Sequence, residues 1–291
     1  MTKTISSPSD LSEVAACPTY YGNIALSNTL SGNVTLDGIE VLKGDLTCDG
    51  ANDLRAFDTY GLDVVEGELR FSSCAKLEVL DFRMWLDNAT RVTLTDLPAL
   101  IDFRVVIADI GSFTAERTGL VNVSFYLHED YPTSNIVFRD NPDLYLVDIS
   151  GYDCELTGNL TVTGSPQAEV TIWGLEDIGS LELRNIHSLY ASSAIYNITA
   201  GDMTIENVDT GYSLGDLKAV TGDLQLFNVS ASASLSYGHD NLIDLSTLQD
   251  VGGRVQVYNN WRHTSVTLIG FDSYSYGLSA GSIDIAGLIH E

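Results

Sequence analysis

Gly201-Asp202-Met203-Thr204-Ile205 and, 21 residues on, Gly222-Asp223-Leu224-Gln225-Leu226 decide the fold. The same five-residue window can be set at positions 22, 44, 67, 90, 111, 134, 158, 179, 201, 222, 253 and 281, with spacings of 22, 23, 23, 21, 23, 24, 21, 22, 21, 31 and 28. The third and fifth residues are apolar in every window, from Ile24/Leu26 to Ile283/Ile285, and the second is always polar. Strict alternation over five residues is a strand with one face inward and one in water. Repetition near 22 residues marks a solenoid, in which each coil covers the apolar face of the next. The expected fold is all-β, a single parallel β-solenoid of about twelve coils, with equivalent strands stacked about 4.8 Å apart.

Working outward, Ser6 to Ala16 reads as a short helix with Ser7 at the N-cap, Pro8 in the first helical position and Asp10 where a capping box wants an acid. Residues 1–21 are then an N-terminal cap over the open end of the core, and residues 22–291 the solenoid. Gly32-Asn33-Val34-Thr35-Leu36 falls between two windows and supplies a second strand to the first coil. Leu54, Leu77, Leu100 and Leu144, followed three residues on by Phe57, Leu80, Phe103 and Val147, fit a second inward wall. Six residues past the window start stand Asn28, Gly50, Ser73, Asp96, Asp140, Gly164, Asn185, Asn207, Asn228, Asn259 and Gly287. Asparagine and glycine tolerate the left-handed backbone of turns, and a buried Asn amide is expected to bond turn backbone groups of neighbouring coils.

The 291 residues carry a net charge of −26 with only four lysines, a surface that repels phosphate backbones and anionic lipid. Nucleic acid is therefore excluded as a partner. No stretch approaches the ~18 apolar residues of a membrane helix. The first twenty residues hold no apolar run, so no signal peptide is expected, and no hydrophobic anchor signal is read at the C-terminus. That leaves a cytoplasmic protein, or a mature secreted segment. Six Asn-x-Ser/Thr sequons, at Asn33, Asn88, Asn122, Asn159, Asn197 and Asn228, favour secretion and are the expected glycosylation sites. Cys17, Cys48, Cys74 and Cys154 lack Cys-x-x-Cys spacing, so no metal site is expected. A Cys48–Cys74 link and a Cys17–Cys48 link are equally compatible with the coil spacing, and the sequence does not choose.

The stretch Leu36-Asp37-Gly38-Ile39-Glu40-Val41-Leu42-Lys43-Gly44-Asp45-Leu46-Thr47 resembles the first repeats of fungal GPI-anchored cell-wall proteins of the extracellular-mutant and sporulation-specific family. Val92-Thr93-Leu94-Thr95-Asp96-Leu97-Pro98-Ala99-Leu100 is similar to another coil of that family. The resemblance implies receptor L-domain, leucine-rich-repeat-like repeats. It also implies a secreted, N-glycosylated, GPI-anchored protein linked to wall integrity, with no established active site.

Past Gly222 the period stretches, and the extra residues fall at about 230–240 and 271–277, as insertion loops. Tyr237, His239, Trp261, Arg262, His263 and Tyr274 gather there as candidate ligand-binding residues, since aromatic faces stack on sugar rings while polar groups bond hydroxyls. Asp45, Glu68, Glu182, Asp202, Asp223 and Asp284 take outward strand positions, and neighbouring coils bring Glu182, Asp202 and Asp223 within glycosidase distances. A flat solvated face neither raises a pKa nor excludes water, and a glycan on Asn159 would obstruct it. No Gly-x-Ser-x-Gly, His-Glu-x-x-His or phosphate loop occurs, and no cofactor is expected. The sequence thus points to a secreted or cell-surface wall-associated protein that binds glycan or protein, or serves as a scaffold. The alternative is a cofactor-independent isomerase, cyclase or lyase, taking a small molecule and using His239, His263 and Tyr237 as proton-transfer groups.

Overall fold

Alternating residues become a coil wall only if every window pairs in the same register, because a slip of one residue would turn the apolar set to water. The structure, a computed structural model, describes residues 1–86, 88–107, 110–127, 133–192, 195, 197–199, 201–212, 217–231, 242–245, 247–258, 265–267 and 279–286. They form a parallel β-solenoid with one short helix, and fall into two units, Met1–Tyr145 and Leu146–Glu291.

In the first unit the windows pair in parallel and in step: Ile24 with Leu46, Leu46 with Leu69, Leu69 with Val92, Val92 with Phe113, and Phe113 with Ile136. All six of these side chains are completely buried. The second inward wall is also present, as the parallel strands Ser31–Thr35, Asp53–Asp58, Val79–Leu86 and Asp102–Ile107, in which Val34, Phe57, Leu80 and Phe103 align. Between the walls runs a file of rings. Phe57 lies 5.4 Å from Phe71 and 6.2 Å from Phe82, and Phe113 lies 5.1 Å from Phe125 and 5.4 Å from Phe138. Tilted contacts of this kind contribute about 0.5–1.5 kcal/mol each beyond the area they bury.

The second unit repeats the register with aliphatic residues, Leu181 with Met203, Met203 with Leu224, Leu224 with Val255, and Val255 with Ile283. Here the pattern meets one exception. Ile283 and Ile285, inward by sequence, are 48% and 38% exposed, because their strand, Ser279–Ala286, stacks on Asp250–Tyr258 on one side. Strand pairing is continuous from Leu146 to Ser192, and the corners within it are turned by left-handed residues, Gly164 (φ 64°), Gly174 (φ 66°) and Asn185 (φ 52°).

The helix is Pro8–Val14, with Ser7 as its N-cap accepting from the Asp10 amide. The Asp10 carboxylate reaches back to the Ser6 amide at 3.0 Å, one residue earlier than a standard capping box. Ahead of the helix, Thr2–Ile5 is a strand in register with Asn23–Leu26. Its third position holds Lys3 where every window has an apolar residue, which is why the pattern missed it. The helix resolves the mismatch, since Lys3 Nζ meets Glu13 at 2.6 Å and Asp10 at 3.3 Å.

The turn position behaves as expected from Gly50 to Asn228, with φ of 68° at Gly50, 54° at Ser73, 55° at Asp96, 53° at Asp140, 54° at Asn207 and 47° at Asn228. Asn28 is an exception with no positive φ, and Arg117 (φ 53°) takes the left-handed place without being small. Among the described residues, the turn asparagines Asn185, Asn207 and Asn228 are joined side chain to side chain. Asn228 Nδ2 donates to Asn207 Oδ1 at 2.7 Å and Asn207 Nδ2 to Asn185 Oδ1 at 2.6 Å, on the exposed rim. The buried backbone-binding role falls to Asn141, one residue further along, whose amide is completely buried. It accepts from the Thr118 amide and hydroxyl at 2.9 and 2.7 Å and donates to the Ala115 carbonyl at 3.0 Å.

Candidate functional site

The outward faces of the window strands carry the carboxylates that the sequence raised for acid–base chemistry. In four windows the residue at position two holds coil to coil. Asn23 Oδ1 accepts from the Asp45 amide at 3.1 Å, and Asp45 Oδ1 from the Glu68 amide at 2.9 Å. In the second unit Asp202 Oδ1 accepts from the Asp223 amide, and Asp223 Oδ1 from the Arg254 amide, both at 2.8 Å. The glycine at position one is part of the same device. A Cβ on Gly222 would lie 2.2 Å from Asp202 Oδ1, and one on Gly67 would lie 2.3 Å from Asp45 Oδ1. Gly-Asp is therefore a latch, with the glycine clearing the path for the preceding coil's carboxylate.

On the second unit this face also forms an open groove of about 430 Å³, lined among others by Asn159, Ser180, Glu182, Asp202, Thr204 and Gln225. Arg184 also lines it, with Nε 2.8 Å from Glu182 and a second contact to Glu206. Thr204 and Gln225 are linked at 3.4 Å, and Ser180 donates to Asn159. On the following coils Arg254 Nη2 meets Asp223 Oδ2 at 2.7 Å. The Arg254 guanidinium, and then its backbone N–H, hold the Asp223 carboxyl below the usual carboxylate range. That direction suits an ion-pair anchor, whereas a general acid needs its pKa raised. The groove offers hydroxyls, amides and paired charges, a surface for hydrogen-bonding a polar ligand.

The sequence had brought Glu182, Asp202 and Asp223 together. The structure places Glu182 and Asp202 on the groove, while Asp223 is taken up by Arg254. Tyr237, His239, Trp261, Arg262, His263 and Tyr274 lie outside the described residues. Among the sequons, Asn33, Asn122, Asn159 and Asn228 are exposed, and Asn88 and Asn197 are half-buried. Sequence reasoning passed over the aromatic pair of Trp173 and Tyr190. Trp173, 45% exposed, stands 5.6 Å from Tyr190, and the two do not share an offset from their windows, so periodicity does not join them. Among the described residues no helix is long and apolar enough to cross a membrane, and no cluster of His, Cys, Asp and Glu is arranged to hold a metal ion.

No family model matches the chain, and no solved structure matches it. Among curated proteins it is 25% identical over 201 residues to Protein ecm33 of Aspergillus fumigatus, across 68% of this chain and 49% of that protein. It is 21% identical over 226 residues to the Cell surface GPI-anchored protein ECM33 of Candida albicans, across 77% of this chain and 54% of that protein. The chain thus spans about half the length of these relatives. They are of the kind that Leu36–Thr47 and Val92–Leu100 resembled. By these matches the chain is similar to the fungal Ecm33 proteins, one of which is by name a GPI-anchored protein of the cell surface.

Proposed function

We propose that this chain is the solenoid of a wall-associated fungal surface protein, about twelve coils long, which acts as a rigid scaffold presenting a glycan-binding face. The observation that carries this reading is the fate of the outward carboxylates. Asp45, Asp202 and Asp223 serve the next coil's amide, so the face is a fixed polar surface and not a set of free acids and bases. Its groove of amides and hydroxyls suits sugar hydroxyls, and the exposed Trp173 beside Tyr190 is a surface on which a pyranose ring can stack. The surface location in the name of the Candida albicans relative supports an extracellular destination, and the exposed sequons Asn33, Asn122 and Asn228, which do not line the groove, are then the first glycan acceptors. Tyr237, His239, Trp261, Arg262, His263 and Tyr274 form a second contact region in this proposal.

The test is retention of the purified chain on insoluble β-glucan and on chitin, with Trp173→Ala and Gln225→Ala beside wild type. Retention lost in either variant, with unchanged unfolding, supports the glycan-binding face. Wild type passing through both resins leaves scaffolding alone.

A further inference from the structure

Cys48 and Cys74 come from successive coils and meet inside the core of the first unit. Cys48 is the fifth residue of its window, an inward strand position, and is completely buried. Cys74 follows the left-handed Ser73, whose φ of 54° turns the chain back toward the core, and it too is completely buried. Their sulfurs stand 3.5 Å apart, while the Cys74 thiol also lies 3.2 Å from the Ser72 carbonyl. The rival pairing of Cys17 with Cys48 has no such support, for Cys17 is exposed. Cys154 is buried and belongs to the second unit.

We propose that Cys48 and Cys74 are a disulfide site, a covalent bolt between two coils. Closing the sulfurs to bonding distance takes a movement of roughly 1.5 Å, within reach of two side-chain rotations. The oxidant is a disulfide of low molecular weight or of an oxidoreductase. One cysteine thiolate attacks it, forms a mixed disulfide and releases one thiolate. The other cysteine thiolate then attacks the protein sulfur of that mixed disulfide, forms the Cys48–Cys74 bond and releases the second thiolate. The two cysteine protons pass to the released thiolates, and two electrons pass from the cysteines to the external disulfide. In the closed core the contact between the sulfurs pushes the Cys48 thiol up and the Cys74 thiol down. Both sulfurs are completely buried there, so the external disulfide reaches them while the coils are still closing, and the finished bond is shielded from reductant. It restrains the unfolded chain across a separation of 26 residues.

The experiment is to refold the full chain in a mixture of oxidised and reduced glutathione. The product is denatured, free thiols are alkylated, and an unreduced digest is examined by mass spectrometry. The expected result is a peptide joining Cys48 to Cys74 with Cys17 alkylated. Alkylation of both Cys48 and Cys74, or a peptide joining Cys17 to either, overturns the proposal. As a second measurement, the oxidised chain should unfold roughly 5–10 °C above the same chain refolded in reductant. Cys74→Ser should unfold at the same temperature whether or not oxidant is present. Equal midpoints for the two wild-type forms would remove the role as a bolt. None of these readouts depends on glycan binding, so this proposal and the proposed function fail separately.

Discussion

Asp202 Oδ1 accepts a hydrogen bond from the backbone amide of Asp223, 2.8 Å away on the next coil, and it does so through the space where a Cβ on Gly222 would sit. Two features of the repeat, a recurrent glycine and an acid that reads as surface charge, are one structural unit. Placing a methyl group there puts it 2.2 Å from the carboxylate oxygen and 2.7 Å from the Gly201 carbonyl. Gly222→Ala is expected to lower stability by about 1–3 kcal/mol, as overpacking against backbone does. Gly50→Asn is the control. Gly50 is left-handed with nothing within 4 Å of a Cβ, and asparagine already holds the equivalent turns at Asn185, Asn207 and Asn228. Its unfolding midpoint in urea should stay near wild type, and a loss as large as that of Gly222→Ala would refute the latch.

The Asp223–Arg254 pair ties the same latch to pH. Arg254 depresses the Asp223 carboxyl in the folded chain, so the unfolded chain binds the proton more readily. The stabilisation is complete above the unfolded carboxylate pKa of about 4 and is lost as pH falls through the lower folded value. With a net charge of −26, general acidification also relieves repulsion across the molecule, so the whole-protein profile mixes two trends. Asp223→Asn keeps an oxygen for the Arg254 amide and removes only the charge. The gap in unfolding midpoint between wild type and Asp223→Asn should be constant from pH 7 to about 5 and shrink below 4. A gap that widens on acidification would contradict the assignment.

Much of this fold was legible because the window obeys a period of two inside a period near 22, and apolar side chains at positions three and five have no choice of face. The turn residues were legible for the same reason, since left-handed backbone selects Asn, Gly, Asp and Ser. A third inward column escaped. Leu42 precedes Gly44 by two residues, Ile110 precedes Gly111 by one and Ile198 precedes Gly201 by three, all with exposure of at most 1%. The corner before each window absorbs a variable residue, so the column has no fixed offset. The groove was half legible. Its carboxylates were readable as an outward row, but their pairing with Arg184 and Arg254 depends on register across coils 21 to 31 residues apart.

Asn141 shows what a buried amide contributes when all its partners are met. Its side-chain oxygen takes both the amide and the hydroxyl of Thr118, and its nitrogen serves the Ala115 carbonyl, with no exposure to water. Asn141→Ala would strand three polar groups in the core at about 1–3 kcal/mol for each unsatisfied group, partly relieved by relaxation. A total loss of about 3 kcal/mol or more is expected in chemical denaturation. Asn207→Ala, on the exposed ladder, should cost less than half as much, because water replaces its partners. Comparable losses at the two positions would mean that the rim ladder is as enclosed as the core turn.

Arg117 is the turn residue that breaks the small-residue rule, and its neighbours explain why it is tolerated. It stands in the turn column after Asp96, with Nε 2.6 Å from that carboxylate; it also contacts Glu116, and Asp140 acts on it from the next coil. The carboxylates of Asp96 and Glu116 and the charge on Asp140 would otherwise face one another around one turn. Arg117→Asn exchanges a modest exposed ion pair, about 0–1 kcal/mol, for a residue that accepts the left-handed backbone more readily, and the net change should be small. Arg117→Glu keeps the backbone penalty and adds a fourth negative group. It should unfold at clearly lower temperature in dilute buffer and recover much of the difference in about 1 M salt, where screening falls within roughly 3 Å. If Arg117→Glu were as stable as Arg117→Asn at low salt, charge along the turn column would not be what holds an arginine there.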